Sequence, residues 1–198
     1  MTAPLARVGV LGGTFDPIHH GHLAAASEVC ARLGLDQILL TPAHAQPFKQ
    51  GYDTETPAHR LAMCELAAAE DERFAVSPVD IERGGVTYTV DTLADLREQR
   101  PDAELFFITG ADAIARLDEW REPDRLVELA TFVGVTRPGH ALAESASPHI
   151  LVEVPALAIS STDVRRRVRA GLPIRYLVPR SVADYIAVNG LYYGGLDD

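Results

Sequence analysis

Lysine is almost absent from this chain. Of 18 basic residues, Lys49 alone is a lysine and the others are arginines, against 28 acidic residues and a formal charge of −10. Such an excess of negative charge argues against a general nucleic-acid binder or a membrane-surface protein. A polyanionic ligand would need the positive groups gathered in one place. Long hydrophobic runs are also lacking, and none approaches the ~20 residues that span a membrane. Met1 to Leu11 carries one arginine and no long apolar core, so no secretory signal is read there and the expected location is cytoplasmic. There are two cysteines, Cys30 and Cys64, in apolar surroundings and outside any metal-type pair. They read as buried, reduced thiols rather than as a disulfide or zinc framework. Several motifs of phosphate and hydrolase chemistry are absent too. There is no Gly-x-x-x-x-Gly-Lys-Ser/Thr loop, no Gly-x-Gly-x-x-Gly turn, no His-Glu-x-x-His helix and no Gly-x-Ser-x-Gly elbow.

What is present is an ordinary globular composition. The chain has 198 residues, 47% apolar and 23% charged. That length buries enough surface to need no covalent staple. One domain over residues 1–198 is expected, with about 155–198 as a small helical part of the same unit. Apolar β-branched runs predict strands at Arg7–Leu11, Gln37–Thr41, Glu104–Thr109 and Thr131–Thr136. Shorter strands are expected at Phe74–Ser77, Asp80–Glu82 and Ile150–Val154. Helical spacing appears at Gly21–Leu33, Pro57–Ala69, Thr89–Arg100, Ala111–Leu117, Asp124–Ala130, Ser161–Ala170 and Ser181–Val188. Ala43–Thr56 and His140–Pro148 read as loops. Continuously apolar strands alternating with helices imply an α/β fold with a doubly wound parallel sheet.

The first strand runs into Gly12-Gly13-Thr14-Phe15-Asp16-Pro17-Ile18-His19-His20-Gly21-His22. Glycines at the carboxyl end of a strand let a ligand approach the backbone, where open α/β sheets bind ligands. The helix that follows offers free N–H groups and the positive end of its dipole to an anion. His19 and His22, three residues apart, share one face of its first turn and can donate to phosphate oxygens. Far along the chain, Ile159-Ser160-Ser161-Thr162-Asp163-Val164-Arg165 repeats the theme. Capping hydroxyls at a helix start are joined there by an arginine fit for bidentate contact. Arg166, Arg167 and Arg169 point in different helical directions and read mainly as surface charge.

The His-x-Gly-His segment resembles the nucleotidyltransferase superfamily. Further segments narrow that resemblance: Arg83-Gly84-Gly85-Val86-Thr87-Tyr88-Thr89, Gly110-Ala111-Asp112, Trp120, Tyr176-Leu177-Val178-Pro179 and Tyr185 through Tyr192. Together, from Val8 to about Tyr192, they look like the bacterial nicotinate mononucleotide adenylyltransferases, which have a Rossmann-like nucleotidyltransferase fold. That family condenses ATP with nicotinate mononucleotide to nicotinate adenine dinucleotide and pyrophosphate, a step of NAD synthesis. The resemblance implies His19, His22 and Arg165 as the catalytic groups. It implies Gly12, Gly13, Thr14 and Phe15 at the junction of the two substrates, Gly110 and Asp112 at the adenosine, and Ile159, Ser160, Ser161, Thr162 and Arg165 at the triphosphate. Thr14, Phe15, Lys49, Tyr88, Thr89 and Trp120 are implied at the nicotinate mononucleotide. Mg2+ is implied as the counter-ion of ATP, with no dedicated protein metal site.

Two departures stand out. The basic loop reads Gln46-Pro47-Phe48-Lys49 in place of Pro-Pro-His-Lys, and Thr87 stands where serine is usual. Asp112 fits a simple helix cap as well, and Trp120 fits a core or interface tryptophan. A related transferase acting on phosphopantetheine and a non-catalytic nucleotide sensor are the competing readings. The preference between nicotinate and nicotinamide mononucleotides stays open. So does the apolar stretch Leu191–Leu196, which suits either an interface in a homo-oligomer or a frayed end. Neither nucleic acid nor membrane is expected as a partner.

Overall fold

The structure is a computed structural model, described here over residues 6–46, 54–136, 148–155 and 157–193. Six strands form one sheet: β1 (Ala6–Gly13), β2 (Gln37–Pro42), β3 (Phe74–Val76), β4 (Ala103–Gly110), β5 (Thr131–Thr136) and β6 (His149–Glu153). Their order is β3-β2-β1-β4-β5-β6, and every pairing is parallel. This is the doubly wound order. The winding reverses between β1 and β4, which opens a crevice beyond their carboxyl ends. Gly13 is level with Pro42 on β2, and Leu11 is level with Ile108 on β4, so Gly13 and Gly110 face each other across that crevice.

Alternation along the strands sends side chains to two cores. Leu11, Ile38, Leu40, Phe106, Ile108 and Val133 point to one face. They are covered there by α1 (His20–Leu33), α2 (Pro57–Ala68), α7 (Ser161–Arg169) and α8 (Arg180–Asn189). Val8, Val10, Leu39, Leu105, Phe107 and Phe132 point to the other. They pack there with α3 (Val79–Arg83), α4 (Thr89–Gln99), α5 (Ala111–Ile114) and α6 (Pro123–Leu129). Val164, Val168, Val178, Val182 and Ile186 share the first cluster with Leu11 and Ile108, so the carboxyl-terminal helices close over the same core. Cys30 and Cys64 are both buried and unpaired. No helix among the described residues is long and apolar enough to cross a membrane.

The elements read from the sequence form where expected, with two corrections. Asp80–Glu82, expected as a strand, lies inside the short helix α3. Three or four residues of alternating polarity fit one helical turn as well as a strand, and here the buried Asp80 decides between them. Its carboxylate accepts the Thr92 hydroxyl at 2.6 Å and pairs with Arg83, which also reaches Asp95 on α4. The helix expected at Ala111–Leu117 splits into α5 and a separate 3-10 turn at Leu117–Glu119. The expected loops at residues 47–53 and 140–147 lie outside the described residues.

Candidate active site

The turn from β1 into α1 is built by its histidines. His19 is the N-cap of α1, with its Nδ1 accepting the His22 N–H, while His22 Nδ1 accepts the His19 N–H, both at 3.3 Å. This reciprocal cap satisfies two donors that a helix start otherwise leaves open. It stacks the two imidazoles, with centroids 3.6 Å apart and planes at 17°. Because each Nδ1 is an acceptor, Nε2 is the ring nitrogen left to carry a proton and donate it to an anion. His22 is half-buried and His19 is buried behind it. Phe15 meets His22 edge-on at 5.2 Å from a left-handed backbone, φ 51. For a bulky residue that conformation costs about 1 kcal/mol or more. Gly21 suits this close approach: a Cβ there would lie 3.0 Å from the His19 ring, which would have to shift, and in ordinary contact with the Ile159 carbonyl oxygen at 3.5 Å.

That carbonyl belongs to the segment entering α7, so the amino ends of α1 and α7 meet. Ser161 Oγ donates to the Pro17 carbonyl at 2.9 Å, and Ser160 Oγ caps α7 by accepting the Asp163 N–H at 3.1 Å. Arg165 donates from Nη1 to the Asp16 carbonyl at 2.7 Å and from Nη2 to Thr162 Oγ1 at 3.4 Å. Its Nη1 is 3.8 Å from Asp16 Oδ2, a buried oxygen with no hydrogen-bond partner. The other carboxylate oxygen accepts Tyr192 O–H at 2.7 Å and the Glu55 N–H at 3.4 Å. Two converging helix amino ends, an arginine and ring Nε2 atoms are groups that can receive an anion. His19, His22, Ser160, Ser161, Thr162 and Arg165 are therefore brought together, with Gly12, Gly13, Thr14 and Phe15 at the strand end beside them.

Of the residues expected at the mononucleotide, Thr14 and Phe15 stand in the turn just described, while Tyr88 and Trp120 pack on the opposite face of the sheet. Tyr88 caps α4, Thr89 opens it, and the Arg121 guanidinium lies over the Tyr88 ring at 4.7 Å. Thr87 Oγ1 accepts the His44 N–H at 3.0 Å, and His44 Nδ1 meets the Gly85 carbonyl at 2.9 Å, tying this loop to the end of β2. Trp120 is half-buried, edge-on to Phe107 and Phe132 at 6.2 Å each. It reaches β1 through Phe107, whose ring lies 3.3 Å from where a Gly12 Cβ would stand. Gly110, not Asp112, is the N-cap of α5, and Asp112 is exposed in that helix's first turn. Lys49 lies outside the described residues. Arg166 pairs with Asp163 and Arg167 donates to the Pro173 carbonyl, both away from the anion site.

Burial lowers the His19 pKa from 6.5 to about 4; its own backbone hydrogen bond opposes the shift and nearby His20 assists it. The unfolded chain therefore takes up this proton near pH 6.5 and the folded protein only near pH 4. Between those values the unfolded state holds more protons, so stability falls on acidification through that window and changes no further below it. The loss attributable to His19 over the whole window is about 3 kcal/mol, most of it between pH 7 and pH 4.5. Urea unfolding at pH 7 and pH 4.5 measures it against His19→Asn, which keeps a capping oxygen but does not titrate. Equal pH dependence in the two proteins would contradict a neutral His19.

Three structural groups at this site escaped the sequence reading: Asp16, Tyr192 and Arg60. Asp16 was visible only as part of the motif, and Tyr192 lies 176 positions away from it. Arg60, in the first turn of α2, is fully buried, and burial lowers its pKa with Asp16 opposing. Nothing in a lone helical arginine signals that.

Residues 10–167 match the cytidylyltransferase-like family. The chain is 56% identical over 192 residues to a probable nicotinate-nucleotide adenylyltransferase of Saccharopolyspora erythraea, covering 95% of this chain and 90% of the relative. It is 57% identical over 189 residues to a protein of the same name from Arthrobacter sp. (strain FB24), covering 94% and 92%. The chain belongs to the nicotinate-nucleotide adenylyltransferase family. Among solved structures, the nicotinic acid mononucleotide adenylyltransferase of Plasmodium falciparum complexed with NaAD superposes with a TM-score of 0.77. At 21% identity over 96% of this chain and 99% of that one, it shares the fold.

Proposed function

We propose that this protein transfers the adenylyl group of ATP to nicotinate mononucleotide, giving nicotinate adenine dinucleotide and pyrophosphate. The observation that carries the reading is the convergence of two helix amino ends with His22 and Arg165 at the carboxyl end of β1. An oxygen of the mononucleotide phosphate bonds to the α-phosphorus as the bond to the bridging oxygen breaks, and the electron pair leaves with pyrophosphate. The attacking oxygen is already anionic, so no general base is required. The protein positions two anions and offsets the charge that builds up on the transferred and leaving groups.

In this reading His22 Nε2–H and Arg165 hold the phosphates at the reacting centre, with His19 behind them fixing the ring of His22. Ile159, Ser160, Ser161 and Thr162 take the triphosphate side, and Gly110 and Asp112 the adenosine. Gly12, Gly13, Thr14 and Phe15 line the junction. Lys49, Tyr88, Thr89 and Trp120 receive the mononucleotide, Trp120 by stacking. Mg2+ enters with ATP, since this cation favours phosphate and water oxygens. It would supply further charge neutralisation at the pyrophosphate. The setting is a cytoplasmic enzyme, one unit over 1–198 with about 155–198 as its helical part, working without nucleic acid or membrane. Of the apolar stretch Leu191–Leu196, Leu191 and Tyr192 pack into the chain's own core and offer no face to a second copy.

The test is pyrophosphate release from ATP with nicotinate mononucleotide, nicotinamide mononucleotide or phosphopantetheine as acceptor. Release with nicotinate mononucleotide, and none with phosphopantetheine, is expected. Release with phosphopantetheine alone would reassign the acceptor, and release with none of them would leave a nucleotide-binding protein.

A further inference from the structure

Arg60 is a buried guanidinium with no carboxylate partner among the ion pairs of the described residues. It is 1% exposed. Four of its five N–H groups donate to backbone carbonyls: Nε to Glu55 at 3.0 Å, Nη1 to Thr14 at 2.7 Å and to Ala43 at 2.6 Å, and Nη2 to His44 at 2.8 Å. A buried cation is costly unless something compensates it; four converging carbonyl dipoles do so here, helped by the nearby Asp16 carboxylate. A stabilising role alone would be served as well by an apolar side chain of similar volume. The choice of partners points to something more specific.

The four carbonyls belong to three separate segments that meet at the carboxyl edge of the sheet. Thr14 lies in the turn from β1 to α1. Ala43 and His44 leave β2, and Glu55 stands just before α2. Ala43 and Glu55 bracket the segment that carries Lys49, and Glu55 N–H also touches Asp16 Oδ1 at 3.4 Å. His44 N–H is held by Thr87, next to Tyr88 and Thr89. One guanidinium thus ties the phosphate turn to both ends of the neighbouring loop and, through His44, to the start of α4. The Thr14 carbonyl is the informative contact. A peptide unit is planar and trans, so fixing its C=O toward Arg60 turns the Phe15 N–H to the opposite side of the chain. The preceding peptide is held the same way, with Ala43 N–H donating to the Gly13 carbonyl at 2.9 Å.

We infer that Arg60 is a positioning residue for adenylyl transfer. By holding the Thr14 carbonyl it sets the Thr14–Phe15 peptide plane at the junction where the two phosphates meet, and it keeps the β2–α2 connection in register with that turn. The inference rests on the proposed function. It concerns how the turn is aimed, and the guanidinium itself touches no substrate.

Arg60→Lys keeps the charge and much of the volume but cannot span three segments, because an ammonium lacks the planar fork. The experiment measures kcat and both KM values with ATP and nicotinate mononucleotide for the wild type and Arg60→Lys. A third protein, Val182→Ala, carries a cavity in α8 away from the turn and serves as the stability comparison. All three are assayed well below their melting temperatures. The expected result is a kcat lowered about tenfold or more in Arg60→Lys, with both KM values within threefold of wild type, because alignment is felt most in the transition state. Val182→Ala, though less stable than wild type, is expected to keep the wild-type kcat. Wild-type kinetics in Arg60→Lys would overturn the inference. So would an equal kcat loss in Val182→Ala, which would make the effect one of stability. If Arg60→Lys does not fold, Arg60→Gln assayed with and without millimolar ethylguanidinium decides: recovery of kcat at unchanged melting temperature supports positioning, and no recovery overturns it. An inactive wild type would count against the proposed function instead.

Discussion

His22→Ala is expected to lower kcat by about 10²-fold or more, the usual scale for losing a preorganised donor at developing charge. The imidazole stands at the amino end of α1 with its proton fixed on Nε2, because Nδ1 accepts the His19 N–H. Alanine removes that donor and also one half of the reciprocal cap and the ring stacked on His19. Losing a capping interaction costs about 1 kcal/mol, so part of any change is stability. The melting temperature and kcat together separate the two effects. A folded His22→Ala protein turning over at the wild-type rate would remove His22 from the chemistry.

Arg165→Ala is expected to reduce kcat/KM for ATP by about 10²-fold, with loss in both parameters, since a bidentate cation on a phosphate acts in the ground state and more strongly in the transition state. A second consequence follows from Asp16. Its Oδ2 is buried without a hydrogen bond, and Arg165 Nη1, 3.8 Å away, is the nearby cation that Arg165→Ala removes. Breaking a buried ion pair is destabilising by about 3 kcal/mol, reduced here because the arginine is 22% exposed and because the buried Arg60 guanidinium still attracts Asp16. Arg165→Lys should restore stability more fully than kcat/KM, since lysine supplies the charge but not the planar fork. Wild-type kcat/KM in Arg165→Ala would show that α7 takes no part in holding the triphosphate.

The sheet was legible because its strands are buried on both faces, which makes RVGVL, QILLT and LFFIT continuous apolar runs. Helix limits followed from local chemistry, such as Thr56 and Pro57 opening α2 and Gly34 ending α1 in the left-handed region. The error at Asp80 arose because a single turn of helix has no period to read, and the ion network that fixes it joins two helices. At the site, the histidines and Ser160 through Arg165 were legible because each acts within its own turn. Arg60 was not: its position in α2 looks like any solvent-facing arginine, and its burial arises from carbonyls up to 46 residues away. The Tyr192–Asp16 bond likewise depends on the tail folding back over β1. Asp112 read equally well as a cap or a ligand group, and only the backbone shows that Gly110 holds the cap position.

The most direct measurement is a crystal structure of this protein with nicotinate adenine dinucleotide bound. The two phosphates of the product should straddle the amino end of α1 between β1 and β4, one of them within hydrogen-bond reach of His22 Nε2 and on the side facing Arg165. A dinucleotide seated elsewhere, with both side chains turned away from its phosphates, would contradict the account.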